Sequence, residues 1–181
     1  MADLTQNYWN NRYLSGGNSG YGSYDEQLTK KLKWLSGLPI ESITDIGCGD
    51  FNLGKNLLML YPEAAYIGYD ISEIIIKRNK FKYLHEFTTS FPPLGNDLTI
   101  CIDVLYHVLD DSEYAALILN LKQALRFGKY LAVTAYEKEQ PTAPHLKIRK
   151  FDYKSFGKPI IRKIVEKEGS QYFYLYENKR M

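Results

Sequence analysis

The sequence predicts an α/β protein, a three-layer sandwich on a mostly parallel sheet that ends in an antiparallel hairpin. Three observations carry this. Helix-like and strand-like stretches alternate from residue 27 onward, the pattern of βα units. Several of the strand-like stretches, such as Leu98 to Ile102 and Tyr130 to Tyr136, are continuous apolar runs, as expected of strands covered on both faces. The last two strand-like stretches follow one another with only a few residues around Gly169 between them.

The elements follow in order. The opening segment holds Tyr8, Trp9, Arg12 and Tyr13, and then Ser15-Gly16-Gly17-Asn18-Ser19-Gly20-Tyr21-Gly22-Ser23, too glycine-rich for a helix and too aromatic for a linker; it is expected to be a flexible flap. Gln27 to Leu35 is a short amphipathic helix stopped by Gly37 and Pro39. Strands are predicted at Ile43 to Ile46, Ala65 to Tyr69, Tyr83 to Glu86, Leu98 to Ile102 and Tyr130 to Tyr136. Helices fall between them: Gly54 to Leu60, then Glu73 to Asn79 capped by Ser72, then a long one from Asp111-Ser112 to Phe127, closed by Gly128. Ile160 to Glu166 and Gln171 to Glu177 form the hairpin. At 181 residues and 45% hydrophobic content, one domain is expected over 1–181, with the flap and first helix at 1–36 and the core at 40–181.

Asp45-Ile46-Gly47-Cys48-Gly49 joins the first strand to its helix, and Asp70 ends the second strand about 20 residues on, the spacing at which doubly wound folds hold a ribose diol. Gly47 and Gly49 allow a sharp turn and a close approach of the backbone to a ligand. The turn is a poor dinucleotide fingerprint. Asn52 stands where a third glycine is needed, and Asp45 and Asp50 surround the turn with negative charge, which suits a cationic ligand better than a pyrophosphate. Ligands of such sheets lie beyond the carboxyl ends of the strands, where the Gly47 turn, Asp70 and Asp103 all fall.

Composition limits the function. No run reaches the roughly 20 apolar residues of a bilayer span, and the start lacks a signal-peptide core, so a cytoplasmic protein without a membrane partner is expected. Cys48 in the turn and Cys101 in a strand fit packing in a reducing compartment. Three histidines far apart in sequence offer no metal site. The net charge of +2 hides an asymmetry: His145 to Lys163 carries 7 Lys and Arg against 1 acidic residue.

Two constellations remain. Asp103-Val104-Leu105-Tyr106-His107 leaves the fourth strand. Imidazole titrates near neutrality, so His107 serves either as a general base or as a histidine that ties down its loop. Pro144 to Phe151 holds His145, Lys147, Arg149 and Lys150 on the expected rim, where Arg149 would grip a phosphate or carboxylate through two parallel hydrogen bonds. In the flap, Trp9 and Tyr13 would lie against a cation, and Arg12 would pair with a carboxylate.

These segments resemble class I S-adenosylmethionine-dependent methyltransferases, and within them a small bacterial and phage-type group. The matching pieces are Arg12-Tyr13 with the Gly16 to Ser23 flap, Gly47-Cys48-Gly49-Asp50, Tyr66 to Ser72, Asp103 to His107 and His145 to Phe151; Phe51 departs where a further glycine often sits. The resemblance implies a Rossmann-like fold and S-adenosylmethionine as cofactor. It implies cofactor contacts at Asp45, Gly47, Cys48, Gly49, Asp70, Ile71 and Asp103, with Arg12 and Trp9 reaching the same ligand. Tyr106, His107 and His145 become the candidate catalytic residues, and Arg149 and Tyr13 the candidates for the acceptor, a small molecule or glycan, anionic if Arg149 grips it. The reaction implied is methylation of an oxygen or nitrogen. The alternatives are a lyase or aminopropyl transfer with the same cofactor, or a silent RNA-binding module using the basic segment. The last needs aromatic residues interleaved with the basic ones, and only Phe151, Tyr153 and Phe156 offer that.

Overall fold

The structure, a computed structural model, describes residues 4–141, 143–166 and 170–179. Seven strands make a mixed sheet, mostly parallel, flanked by helices. The chain divides into two compact units, Met1–Pro93 and Leu94–Met181.

The first unit contains helices α1 (Leu4–Leu14), α2 (Asp25–Leu35), α3 (Asn52–Leu60) and α4 (Glu73–Lys82) and strands β1 (Ser42–Ile46), β2 (Ala65–Tyr69) and β3 (Glu86–Thr88). Its strands run parallel in the order β3-β2-β1. Ile43, Ile46, Leu57, Ile75 and Phe87 are buried. Each such side chain contributes roughly 1.5–3 kcal/mol through loss of water contact. Ser72 caps α4 by accepting from the Ile75 N–H.

Two expectations are corrected here. The opening segment is not a flap up to residue 14 but the helix α1, because glycine begins only at Gly16. Trp9 and Tyr13, one helical turn apart, stack with centroids 5.6 Å apart, and Tyr13 is 1% exposed. The third strand lies at Glu86–Thr88, three residues beyond its expected start. Tyr83 instead ends α4, its N–H bonded to Asn79 O, and turns its ring onto Phe51. Phe87 is the buried aromatic of β3.

The second unit contains β4 (Leu98–Cys101), α5 (Asp111–Phe127), β5 (Tyr130–Tyr136), β6 (Ile161–Glu166) and β7 (Gln171–Glu177). Strand β4 pairs parallel with β5, β7 pairs antiparallel with β5, and β6 lies outermost against β7. The connection around Gly169 falls outside the described residues. Strand β4 is buried throughout and β5 nearly so, which is why both read as unbroken apolar runs. Asp110 caps α5, accepting from the N–H groups of Ser112 (2.8 Å) and Glu113 (3.0 Å).

Tyrosine finds a use in this unit. Tyr172, Tyr174 and Tyr176 point to one face of β7 with centroids 6.1 Å apart, and Tyr153 stacks on Tyr174 at 5.5 Å. Among the described residues no helix is long and apolar enough to cross a membrane.

Candidate active site

In the first unit the glycine turn leaves β1 with Gly47 at φ 76° and Gly49 at φ 50°, both in the left-handed region. The N–H groups of Gly47 and Cys48 both donate to Tyr69 O, at 2.7 and 2.9 Å. Gly49 N–H donates to Asp70 Oδ2 at 3.0 Å, and Ser72 N–H to Asp70 Oδ1 at 2.8 Å. Asn79 Nδ2 of α4 donates to Gly49 O at 2.8 Å. The turn is therefore tied to the end of β2 and to α4 at four of its atoms.

Phe51 explains the missing glycine. It keeps a left-handed backbone, φ 66°, at the N-terminus of α3. Its ring is 2% exposed and packs edge-on against Tyr66 (5.0 Å), Tyr83 (4.7 Å) and Phe87 (5.1 Å). The left-handed backbone costs about 1–2 kcal/mol, and burial of an aromatic ring outweighs that.

The close approach at Gly49 is made by the chain itself. A Cβ there would come within 2.1 Å of Ser19 Oγ. Ser19 Oγ accepts from Asp50 N–H (2.8 Å), Ser19 N–H donates to Asp50 Oδ2 (3.1 Å), and Tyr24 OH donates to the same oxygen. Ser19, which the sequence shows only as part of the glycine-rich segment, Asp50, which it shows only as charge beside the turn, and Tyr24 and Asn79, to which it gives no role, are thus parts of the turn's setting.

The two acids behind the turn are buried. Asp45 is 2% exposed, and burial pushes its carboxyl up to about 7, against the lowering effect of the Tyr66 hydroxyl that donates to it at 2.7 Å. Burial likewise raises Asp70 to about 6, while the N–H groups of Ser72 and Gly49 pull it down. Raised carboxyls of this kind are relieved by an incoming positive charge.

The other residues expected at the cofactor stand as follows. The Cys48 thiol is buried against Gly68, so only its backbone belongs to the turn's surface, and burial raises its pKa well above the ordinary range. Ile71 offers its carbonyl to Gln6 Nε2 at 2.8 Å. Arg12 donates through Nε to Asn18 O at 2.7 Å and lies 5.8 Å from the Trp9 ring centroid. Tyr13, expected on the acceptor side, lies in the first unit with its hydroxyl 3.4 Å from Ser19 Oγ.

In the second unit Asp103 follows β4 in a left-handed conformation, φ 60°. Its N–H donates to Thr134 Oγ1 (2.7 Å), and its Oδ1 accepts from Thr134 Oγ1 (3.0 Å) and Gln171 Nε2 (2.9 Å). Tyr106 and His107 form a short helical turn, Leu105–His107. His107 Nδ1 faces His145 O at 3.2 Å, and the two imidazoles lie nearly parallel with centroids 6.3 Å apart. The structure thus brings the three candidate catalytic residues together, with the Tyr106 and His107 rings 4.5 Å apart.

Arg149 has a different task from the one expected. Nε and Nη2 donate to Asp111 Oδ1 (2.9 and 2.8 Å), Nη2 also to Leu109 O (2.9 Å), and Nη1 to Val108 O (2.6 Å) and Lys147 O (3.4 Å). All five guanidinium donors are engaged. Its bidentate grip on an anion would need the start of α5 to be released. Lys147 pairs with the same Asp111 at 2.7 Å, and Arg162 with Glu137 at 2.6 Å, so part of the basic segment's charge is balanced internally.

No protein-family model matches the sequence, and no curated protein matches it. Solved structures do. An O-methyltransferase family protein from Burkholderia thailandensis is similar at a TM-score of 0.58 and 11% identity, over 83% of this chain and 56% of its own. The 1,6-didemethyltoxoflavin-N1-methyltransferase of the same organism, bound to 1,6-didemethyltoxoflavin and S-adenosylhomocysteine, gives 0.67 and 12%, over 97% and 88%. The N-methyltransferase NodS from Bradyrhizobium japonicum WM9, with S-adenosylhomocysteine, gives 0.71 and 15%, over 98% and 100%. The chain thus spans about half of the first relative and the whole of the third. Its fold is the Rossmann-like fold of the class I S-adenosylmethionine-dependent methyltransferases.

Proposed function

We propose that the protein is an S-adenosylmethionine-dependent methyltransferase acting on an oxygen or nitrogen of a small molecule. The observation that carries this is Asp70, whose two carboxylate oxygens each accept one backbone N–H, from Gly49 and from Ser72. A carboxylate has about four acceptor positions, so one remains on each oxygen for a pair of ribose hydroxyls. The buried carboxyls of Asp45 and Asp70 add an environment that favours a cationic ligand. Gly47 and Gly49 would supply the turn's backbone to it, with Cys48 and Ile71 contributing main chain rather than side chain, and Trp9 and Arg12 as further contacts.

When bound, the cofactor would supply an activated methyl group on sulfur. The chain's share is then alignment and proton removal, and alignment alone can be worth several kcal/mol. A carbonyl only accepts, so His107 Nδ1 is the donor where it faces the His145 carbonyl. His107 is the acceptor's general base in this reading, and His145 orients it. Tyr106, packed on the His107 ring, holds the imidazole plane.

Calorimetric titration with S-adenosylhomocysteine tests the reading. Binding by the wild type that weakens about tenfold or more in Asp70→Ala is expected; equal affinity in the two would remove Asp70 from the site, and no binding by the wild type would end the proposal.

A further inference from the structure

Helix α1 lies against the corner where β2 passes into α4, and two of its side chains reach consecutive residues there. Gln6 Nε2 donates to Ile71 O at 2.8 Å, and Ser72 Oγ donates to Asn10 Oδ1 at 2.7 Å. Residues four apart share one face of a helix, so Gln6 and Asn10 grip the corner together. We infer that Gln6 is a positioning residue for Asp70: it holds the peptide joining Ile71 to Ser72 in the orientation that presents the Asp70 carboxylate to a ribose diol, an inference that rests on the methyltransferase reading.

The path from one side chain to the other is continuous. The Ile71 carbonyl and the Ser72 N–H belong to one peptide group, which is planar, so fixing its oxygen fixes the direction of its N–H. That N–H is the donor to Asp70 Oδ1 at 2.8 Å. Gln6 therefore acts on Asp70 through a single rigid unit. Hydrogen bonds in series also polarise one another, so a donor on the Ile71 carbonyl strengthens the Ser72 N–H as a donor. The other carboxylate oxygen is held from the glycine turn, by Gly49 N–H at 3.0 Å. Ser72 completes the corner: its hydroxyl accepts from Ile75 N–H at 3.4 Å while its own proton goes to Asn10.

The make-up of α1 fits a clamp. Of its 11 residues Thr5 and Tyr13 are buried, whereas its apolar ends, Leu4 and Leu14, are 73% and 66% exposed. Little apolar surface beyond Tyr13 is taken from water, so polar contacts carry much of the helix's placement. Besides the corner they include Arg78, whose Nη2 donates to Tyr13 O at 2.8 Å.

The test uses Gln6→Met in the full chain, which keeps the side chain's length and loses the donor. The Ser72 amide is followed by ¹⁵N NMR without ligand, and calorimetry compares S-adenosylhomocysteine with an analogue whose ribose lacks both hydroxyls. Gln6→Met should move the Ser72 amide proton upfield and speed its exchange. It should weaken S-adenosylhomocysteine about fivefold, as the loss of one hydrogen bond would, and leave the analogue within about twofold of its wild-type affinity. In an Asp70→Ala background the substitution should weaken S-adenosylhomocysteine no further. A helix that only supports the fold would weaken both ligands alike. Equal losses, an unmoved Ser72 amide, full additivity with Asp70→Ala, or a wild type that binds the two ligands equally well overturns the inference. Should Gln6→Met not fold, Gln6→Asn, which sets the donor one methylene short, is read by the same contrasts. A wild type that binds neither ligand ends the methyltransferase reading, and the Ser72 amide then decides by itself whether Gln6 sets this peptide.

Discussion

The backbone N–H of Gly49 donates to Asp70 Oδ2 across 3.0 Å, joining the glycine turn to the end of β2 with a buried acceptor. The bond gives Asp70 a structural part as well as its proposed ribose-binding part. Asp70→Asn keeps an oxygen for one of the two backbone N–H groups that Asp70 accepts and sets its NH2 against the other. Its melting temperature should fall, and its affinity for S-adenosylhomocysteine should drop several-fold. Thermal scanning beside calorimetry measures the two effects separately.

Asp45 predicts a pH dependence of stability. Its carboxyl titrates near 7 in the folded chain because it is buried, well above the 3.8 of a free aspartate. Proton binding therefore favours the folded state. The contribution is fully present below about pH 4 and is lost as pH rises through about 7, by roughly 4 kcal/mol at most. Asp70, raised to about 6, acts in the same direction. Urea midpoints measured from pH 5 to 8 should therefore fall in the wild type relative to Asp45→Asn, and parallel curves would refute the assignment.

Phe51 sets two effects against each other. Phe51→Gly relieves about 1–2 kcal/mol of left-handed strain. It also removes a ring packed among Tyr66, Tyr83 and Phe87, and loss of a buried Phe side chain costs about 3–5 kcal/mol. The ring should win. Chemical denaturation should show net destabilisation of about 1–4 kcal/mol, and a neutral result would mean the cluster closes over the gap.

Arg149 and Asp111 should respond unequally to substitution. The Asp111 side chain is 76% exposed, and exposed ion pairs are worth about 0–1 kcal/mol. Arg149 is 14% exposed at its side chain and also serves the carbonyls of Val108 and Leu109. Hydrogen bonds to a charged group are worth about 1.5–3 kcal/mol. Arg149→Met should thus destabilise more than Asp111→Ala, a ranking that paired denaturation curves would reverse if Arg149 were a free substrate ligand.

Much of this was legible from residue order. The βα alternation, the apolar runs of β4 and β5, the Ser72 cap and the glycine turn are local patterns, and local patterns fix local backbone. Residue order does not place the third strand, because Tyr83 and Phe87 are both aromatic, and only packing on Phe51 assigns one to the helix end and the other to the strand. The opening helix leaves little trace in residue order, because it is short and the glycine-rich segment begins directly after it at Gly16.

The sequence by itself determined the α/β class, the acidic glycine turn and the distance from it to Asp70, since these depend on periodicity and on spacing along one strand-helix-strand unit. Only the tertiary structure decided that Arg149 belongs to Asp111, 38 positions away, and that Ser19 rests on a turn 31 positions on at Asp50. A charged or polar side chain takes whichever partner the fold delivers to it, and a partner that far along the chain leaves no periodic trace in the order of residues.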